Sequence, residues 1–214
     1  MLRRSLRIFV AGGLALAMPL AVPSVADARA RHVELLEALW TTVFELPVDE
    51  NPFAGADPCL VLTDPSSGRP VLAPFAPSAS TTECSATRGT TLFVTGWSSE
   101  CSDIEAAPFF GADEPEQRAC ARAADAGLEV PVVTFDGRRV QMHEVETGAM
   151  TAELPEDDVF GVDVDTIHSV AHGWVALVPL TPGIHEVSIQ NAGTYPASPG
   201  PSAGPITTII EVTR

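Results

Sequence analysis

From Cys59 to the C-terminus the chain breaks its apolar residues into short runs separated by Pro, Gly, Ser, Asp and Asn. The runs recur at roughly ten-residue intervals, a rhythm that few folds other than stacked β-sheets accommodate. They predict strands over 59–63, 70–74, 91–95, 128–135, 138–143, 150–154, 168–178, 184–190 and 205–212. Asp136-Gly137 between two of them is a two-residue hairpin signal, because both residues tolerate positive φ. Pro182-Gly183 marks a second tight turn. Residues 193–204, rich in Pro, Gly, Ser and Ala, predict a long loop before the last strand, which is β-branched and apolar like a sandwich core strand.

Two segments read as helices. Over 31–44, Val33, Leu36, Trp40 and Val43 fall at three- and four-residue steps and make one apolar stripe, ended by Pro47. Over 114–126, Asp113 is an N-cap with Glu116 three residues on, Pro115 fits the first turn, and Gly127 provides the stop. Strands and helices do not alternate, which argues against a parallel α/β fold. The expectation is a mainly β chain: an antiparallel β-sandwich, Ig-like or jelly-roll-like, with two short helices and local disulfides. An open β-barrel is the alternative.

The start of the chain sets the compartment. Arg3, Arg4 and Arg7 precede an apolar run over 8–22, followed by Ala26-Asp27-Ala28. This is the layout of a secretory signal peptide with a cut after Ala28 or Ala30. The run has about 15 residues where a membrane-spanning helix needs about 20, so no transmembrane segment is expected after cleavage. Arg3-Arg4 raises twin-arginine export, but Arg7 stands where that signal wants an apolar residue. The general secretory route is expected, leaving the protein secreted or at the cell surface. The expected organisation is a signal peptide over 1–28, a helix and linker over 29–50, and a single β-sandwich-like domain over 51–214.

In an exported chain Cys59, Cys84, Cys101 and Cys120 read as two disulfides. Three pairings exist; Cys59–Cys84 with Cys101–Cys120 is favoured because each closes a short loop and the loops do not cross. A zinc site would need close pairs of the C-x2-C kind, which the spacing lacks. Acidic side chains number 28 against 12 arginines, with no lysine, for a formal charge of −16. Such a chain repels nucleic acid and anionic membranes, so its partners are cations, basic proteins or a cell-envelope component. A GC-rich genome accounts for arginine in place of lysine; halophily would give the same acidity.

No nucleophile elbow, phosphate loop, H-E-x-x-H or C-x-x-C is present, and no catalytic residue is assigned. His168 and His172 are four apart, but in a strand that places them about 13 Å apart, too far to share an ion. His143 and His185 read as surface ion pairs with their neighbours Glu144 and Glu186. No cofactor is expected, with calcium as the one candidate. Glu156, Asp157, Asp158, Asp163 and Asp165 lie in an acidic stretch able to offer the oxygens calcium takes, although without the EF-hand pattern. Pro108-Phe109-Phe110-Gly111 reads as core filler or a contact patch.

Taken together, Cys59, Cys84, Gly89 to Val94 (G-T-T-L-F-V), Glu100-Cys101-Ser102, Arg118-Ala119-Cys120-Ala121, Asp136-Gly137 and the ending His172-Gly173-Trp174 with Pro179-Leu180-Thr181-Pro182-Gly183-Ile184-His185 form a recognisable order. It resembles a group of uncharacterised bacterial exported proteins with E-C-S, R-A-C-A and P-L-x-P-G-x-H motifs. The chain departs from them at His172, where those proteins carry aspartate. The resemblance implies a secreted sandwich-like domain with local disulfides and supplies no activity. The functional expectation is a secreted, non-enzymatic binding or envelope and matrix domain. The alternatives are a calcium-stabilised recognition module and a secreted hydrolase using a carboxylate pair.

Overall fold

The computed structural model describes residues 25–75, 81–193 and 204–214. Helix α1 (Val25–Glu45) is followed by two 3-10 turns, Val48–Glu50 and Pro52–Ala54. Strands β1 (Cys59–Thr63), β2 (Pro70–Pro74), β3 (Thr81–Thr87) and β4 (Thr91–Ser102) lead to helix α2 (Glu114–Asp125). Then come β5 (Val132–Phe135), β6 (Arg138–Arg139), β7 (His143–Glu146), β8 (Met150–Glu153), β9 (Thr166–Pro179), β10 (Gly183–Gln190) and β11 (Ile206–Thr213). The first sheet runs β1-β2-β4-β9-β7, with β8 also pairing β9; the second runs β3-β11-β10-β5-β6. The chain is mainly β, and its two sheets lie in a sandwich-like arrangement without closing into a barrel.

Each sheet holds one parallel pairing. The chain leaves the first sheet after β2, forms β3 in the second and returns as β4, so β2 and β4 run parallel; β3 also runs parallel to β11. Strand alternation divides the core in two. Val71, Ala73 and Phe93 face α1, while Leu72, Leu92 and Val94 face the second sheet, where Val133, Val187, Ile189, Ile210 and Val212 meet them. The centre of the first sheet is therefore buried on both faces, which is why 71–73 in β2 and 92–94 in β4 read as continuous apolar runs rather than as alternation, whereas β8 alternates. On α1 the buried stripe is Leu35, Leu36, Leu39, Trp40, Val43 and Phe44, wider than the periodicity suggested; Val33 is only partly buried. Each fully buried leucine there contributes about 1.5–3 kcal/mol. Arg31 adds an ion pair to Asp64 at 2.6 Å.

Strand β4 carries a bulge between Thr95 and Trp97. An extra residue reverses the facing of everything after it. Beyond the bulge Trp97, Ser99 and Cys101 share the face of Leu92 and Val94, and Ser98 and Glu100 turn toward the α1 side. Two glycines permit this crossing. A Cβ on Gly96 would lie 2.7 Å from Pro131 Cγ, and one on Gly173 would lie 2.8 Å from Ser98 Cα.

The sequence places several boundaries differently. The strand expected over 128–135 begins only at Val132, because residues before it bond elsewhere: Leu128 N donates to Asp125 O and Glu129 N to Ala192 O. The strand expected over 138–143 is two strands in different sheets, β6 and β7, with the chain crossing between them. β4 continues to Ser102, well past 95. β3 has no counterpart in the reading, since its sequence is polar and only Cys84 is buried. The hairpin at Asp136-Gly137 forms with φ of 49° and 73°. Disulfide Cys59–Cys84 ties β1 to β3 across the two sheets, and Cys101–Cys120 ties β4 to α2.

Candidate functional site

Strand β4 outruns its neighbour. On the β2 side it is paired only at Thr91 and Leu92, and the next bridge on it outside the named strands is Ser102 with Phe110. Along the intervening edge lies a cavity of about 360 Å³, at the lower end of the range that holds small ligands. Trp40, Phe53, Phe75 and Phe160 wall it on the α1 side; Val187, Ile189 and Ile206 wall it on the side of the second sheet. Trp40 stands 6.1 Å from Phe53 and 5.6 Å from Phe75, with Phe53 and Phe75 edge-to-face at 5.3 Å. Such edge contacts add about 0.5–1.5 kcal/mol each to the burial.

Polar groups hold these walls in place. Trp40 Nε1 donates to Ser98 Oγ at 2.9 Å, and Ser98 Oγ donates to His172 O at 3.0 Å. Asn51 positions Phe53: its Nδ2 donates to Val43 O at 2.7 Å, and its Oδ1 accepts from Phe53 N at 3.0 Å. A buried asparagine satisfied at both ends fixes the entry of this turn against α1.

The acidic part of the lining is Glu100 on β4 and Glu105 in the loop after it. Glu100 is buried and accepts from Ser169 Oγ; Glu105 accepts from Ser102 Oγ at 3.1 Å. The two carboxyls also hydrogen-bond each other. Burial pushes Glu100 well above its ordinary value, and the neighbouring Glu105 pushes it further; burial raises Glu105 as well. Two carboxyls this close hold a proton between them. The folded protein thus keeps a proton that the unfolded chain releases above its ordinary glutamate value of 4.5. Stability is lost as pH rises from there through the raised values. Glu100→Gln removes this titration, so the variant is expected to lose less stability than wild type between about pH 5 and about pH 7.5. Urea unfolding at the two pH values measures it, and a parallel loss in both proteins would contradict the shared proton.

A second buried cluster lies on the opposite face. Asp125 at the end of α2 accepts from Ser99 Oγ, from Trp97 Nε1 at 3.2 Å and from His172 Nδ1, while His172 Nε2 meets Glu144 at 3.2 Å. Serine, aspartate and histidine meet here, but the serine bonds the aspartate and not the imidazole. The imidazole is not placed to take the serine proton, so this is not the serine–histidine–aspartate order of a nucleophilic triad. The cluster fixes α2 onto β4 and β9. Arg118 and Arg122, both on Glu146 of β7, secure its outer side.

His168 shares a face of β9 with His172 but pairs with Asp103 at 2.9 Å, and the two do not share a partner. His143 and His185 do not pair with the residues beside them. His143 stacks on His32 of α1 at 4.8 Å, and His185 bonds Asp136 at 2.8 Å and Thr181 O at 2.7 Å. In the acidic loop, Asp158 turns inward and accepts from Phe160 N and Gly161 N at 2.7 Å each. Glu156, Asp157, Asp163 and Asp165 are exposed. Among the described residues no group of three or more His, Cys, Asp or Glu side chains is placed to hold a metal. Phe110 is exposed, whereas Phe109 lines the cavity. The sequence alone does not mark Glu100, Glu105 and Ser98 as site residues. The one signal is for Glu100, a carboxylate inside a strand that continues past Gly96.

No family model matches the chain, and no curated protein matches it. Among solved structures, the cysteine protease inhibitor EhICP2 from Entamoeba histolytica is similar over 67% of this chain and 93% of that one, at 8% identity and a TM-score of 0.24. A likeness of that size carries no argument about this chain.

Proposed function

We propose that this chain is an exported, non-enzymatic binding domain whose ligand is an apolar small molecule seated along the edge of β4. The observation that carries this reading is the cavity of about 360 Å³, apolar over most of its wall with a few convergent polar groups. The basic start, the apolar run and the two disulfides support export. Ala26, Asp27 and Ala28, which cleavage after Ala28 would remove, are exposed, and the first residue of α1 described as buried is His32. Among the described residues no helix is long and apolar enough to cross a membrane. A protein or cell-envelope partner remains compatible with this reading.

The hydrolase alternative has less support. Glu100 and Glu105 are in hydrogen-bond contact, closer than the about 5–9.5 Å that glycosidase carboxylates need for a sugar carbon or a water between them. The calcium alternative lacks a gathered set of ligands among the described residues.

Titration with the neutral fluorophore N-phenyl-1-naphthylamine tests the proposal. Saturable enhancement at a single class of site is expected. Phe53→Ala is expected to weaken it about tenfold, the effect of losing part of one aromatic contact. Phe53 is 47% exposed, so its removal leaves the core intact. Non-saturable enhancement, or affinity unchanged in Phe53→Ala, would overturn the reading.

A further inference from the structure

We propose that the cavity takes an apolar cation, an organic ammonium whose charged head docks on the Glu100–Glu105 pair and whose tail lies on the apolar walls. This rests on the cavity being a binding site and names the class of its ligand.

Among the described residues a further buried carboxyl, Asp158, is held by the backbone N–H groups of Phe160 and Gly161, and three buried or half-buried ones are held by basic side chains. Asp64 is buried against the Arg31 guanidinium and two serine hydroxyls, Asp125 against the His172 ring, and Glu146 beneath two arginines. Each has a basic partner built in. Among the described residues no arginine or histidine pairs with Glu100 or Glu105, and serines are their only other side-chain hydrogen-bond partners. Burying two acids together without a cation opposes folding at neutral pH, and such an arrangement beside a cavity marks a binding role. Both residues line that cavity, so the missing cation has a place to come from.

The rest of the wall suits the same ligand. Trp40, Phe53 and Phe75 offer ring faces and edges on the side of the sheet where Glu100 points, and aromatic faces attract ammonium groups. Val187, Ile189 and Ile206 offer only aliphatic surface to a tail. The formal charge of −16 favours approach of a cation over an anion. On binding, the N–H donors of the ammonium replace the proton the carboxyls share. That proton leaves to solvent, the pair becomes doubly ionised, and the ammonium compensates one of the two charges.

Isothermal titration of the oxidised full chain with n-hexylammonium, 1-hexanol and hexanoate near neutral pH tests this. Hexylammonium is expected to bind about tenfold or more tightly than hexanol, as charge-assisted hydrogen bonds to a buried acid provide. Its binding heat is expected to differ between Tris and phosphate buffers, reporting proton release. Glu100→Gln and Glu105→Gln are each expected to abolish that preference and the proton release while retaining hexanol binding. Equal or tighter binding of hexanol, or a preference for hexanoate, would overturn the cation assignment and leave the binding reading in place. Failure of all three probes to bind would overturn both.

Discussion

Asp125→Ala is expected to destabilise the folded protein by about 3–5 kcal/mol, the cost of removing one partner from a buried charged pair. The carboxyl is buried and serves three donors at once: Ser99 Oγ, Trp97 Nε1 and the His172 ring. Alanine leaves all three without it, in a place that water does not readily reach. The effect depends on pH in a defined direction. The hydrogen bond to Asp125 raises His172 above its ordinary 6.5, outweighing the opposing effect of burial. A raised folded-state value means that the stabilisation is complete below 6.5 and fades as pH rises through the raised value. Urea unfolding at about pH 6 and about pH 9 should therefore show a smaller penalty for the variant at the higher pH. An equal penalty at both would remove the protonated imidazole from the account.

The second large effect is expected from Cys101→Ser combined with Cys120→Ser, which lowers stability by about 3 kcal/mol through loop-closure entropy. The bond joins the middle of α2 to the far end of β4, one turn of helix away from the Asp125 cluster. Both devices hold the same helix to β4, and the Asp125 cluster reaches β9 as well. The triple variant with Asp125→Ala is therefore expected to lose less than the sum of the separate losses, because once α2 is released the remaining tie has less to hold. Additive losses in denaturant midpoints would indicate two independent anchors.

How legible these features are in the sequence depends on whether they are local. β1 and β2 are readable to the residue because prolines bracket them: Pro58 precedes Cys59, and Pro70 and Pro74 delimit the second strand. The start of α2 is equally local, with Asp113 accepting from Glu116 N at 3.0 Å as the capping pattern requires. β3 is hidden because its residues are mostly polar; what makes it a strand is a parallel partner, β11, more than a hundred residues away. The cavity is hidden for the same reason. Trp40, Phe75, Glu100 and Ile206 come from four separate parts of the chain, and only the topology brings them to one edge. Trp40 reads correctly as part of an apolar helical stripe, yet nothing in that stripe says that its indole nitrogen reaches Ser98.

Gly96 shows how one residue can hold two functions in phase. Counting along β4, it acts as a shift of frame: residues before it alternate in one sense and residues after it in the other. Were Gly96 instead paired in regular alternation, with no bulge, Glu100 would point at α2, while Cys101 would point at α1, away from Cys120. The acid pair of the cavity and the covalent tie of the helix would be lost together. Both depend on a position that contributes no side chain to either.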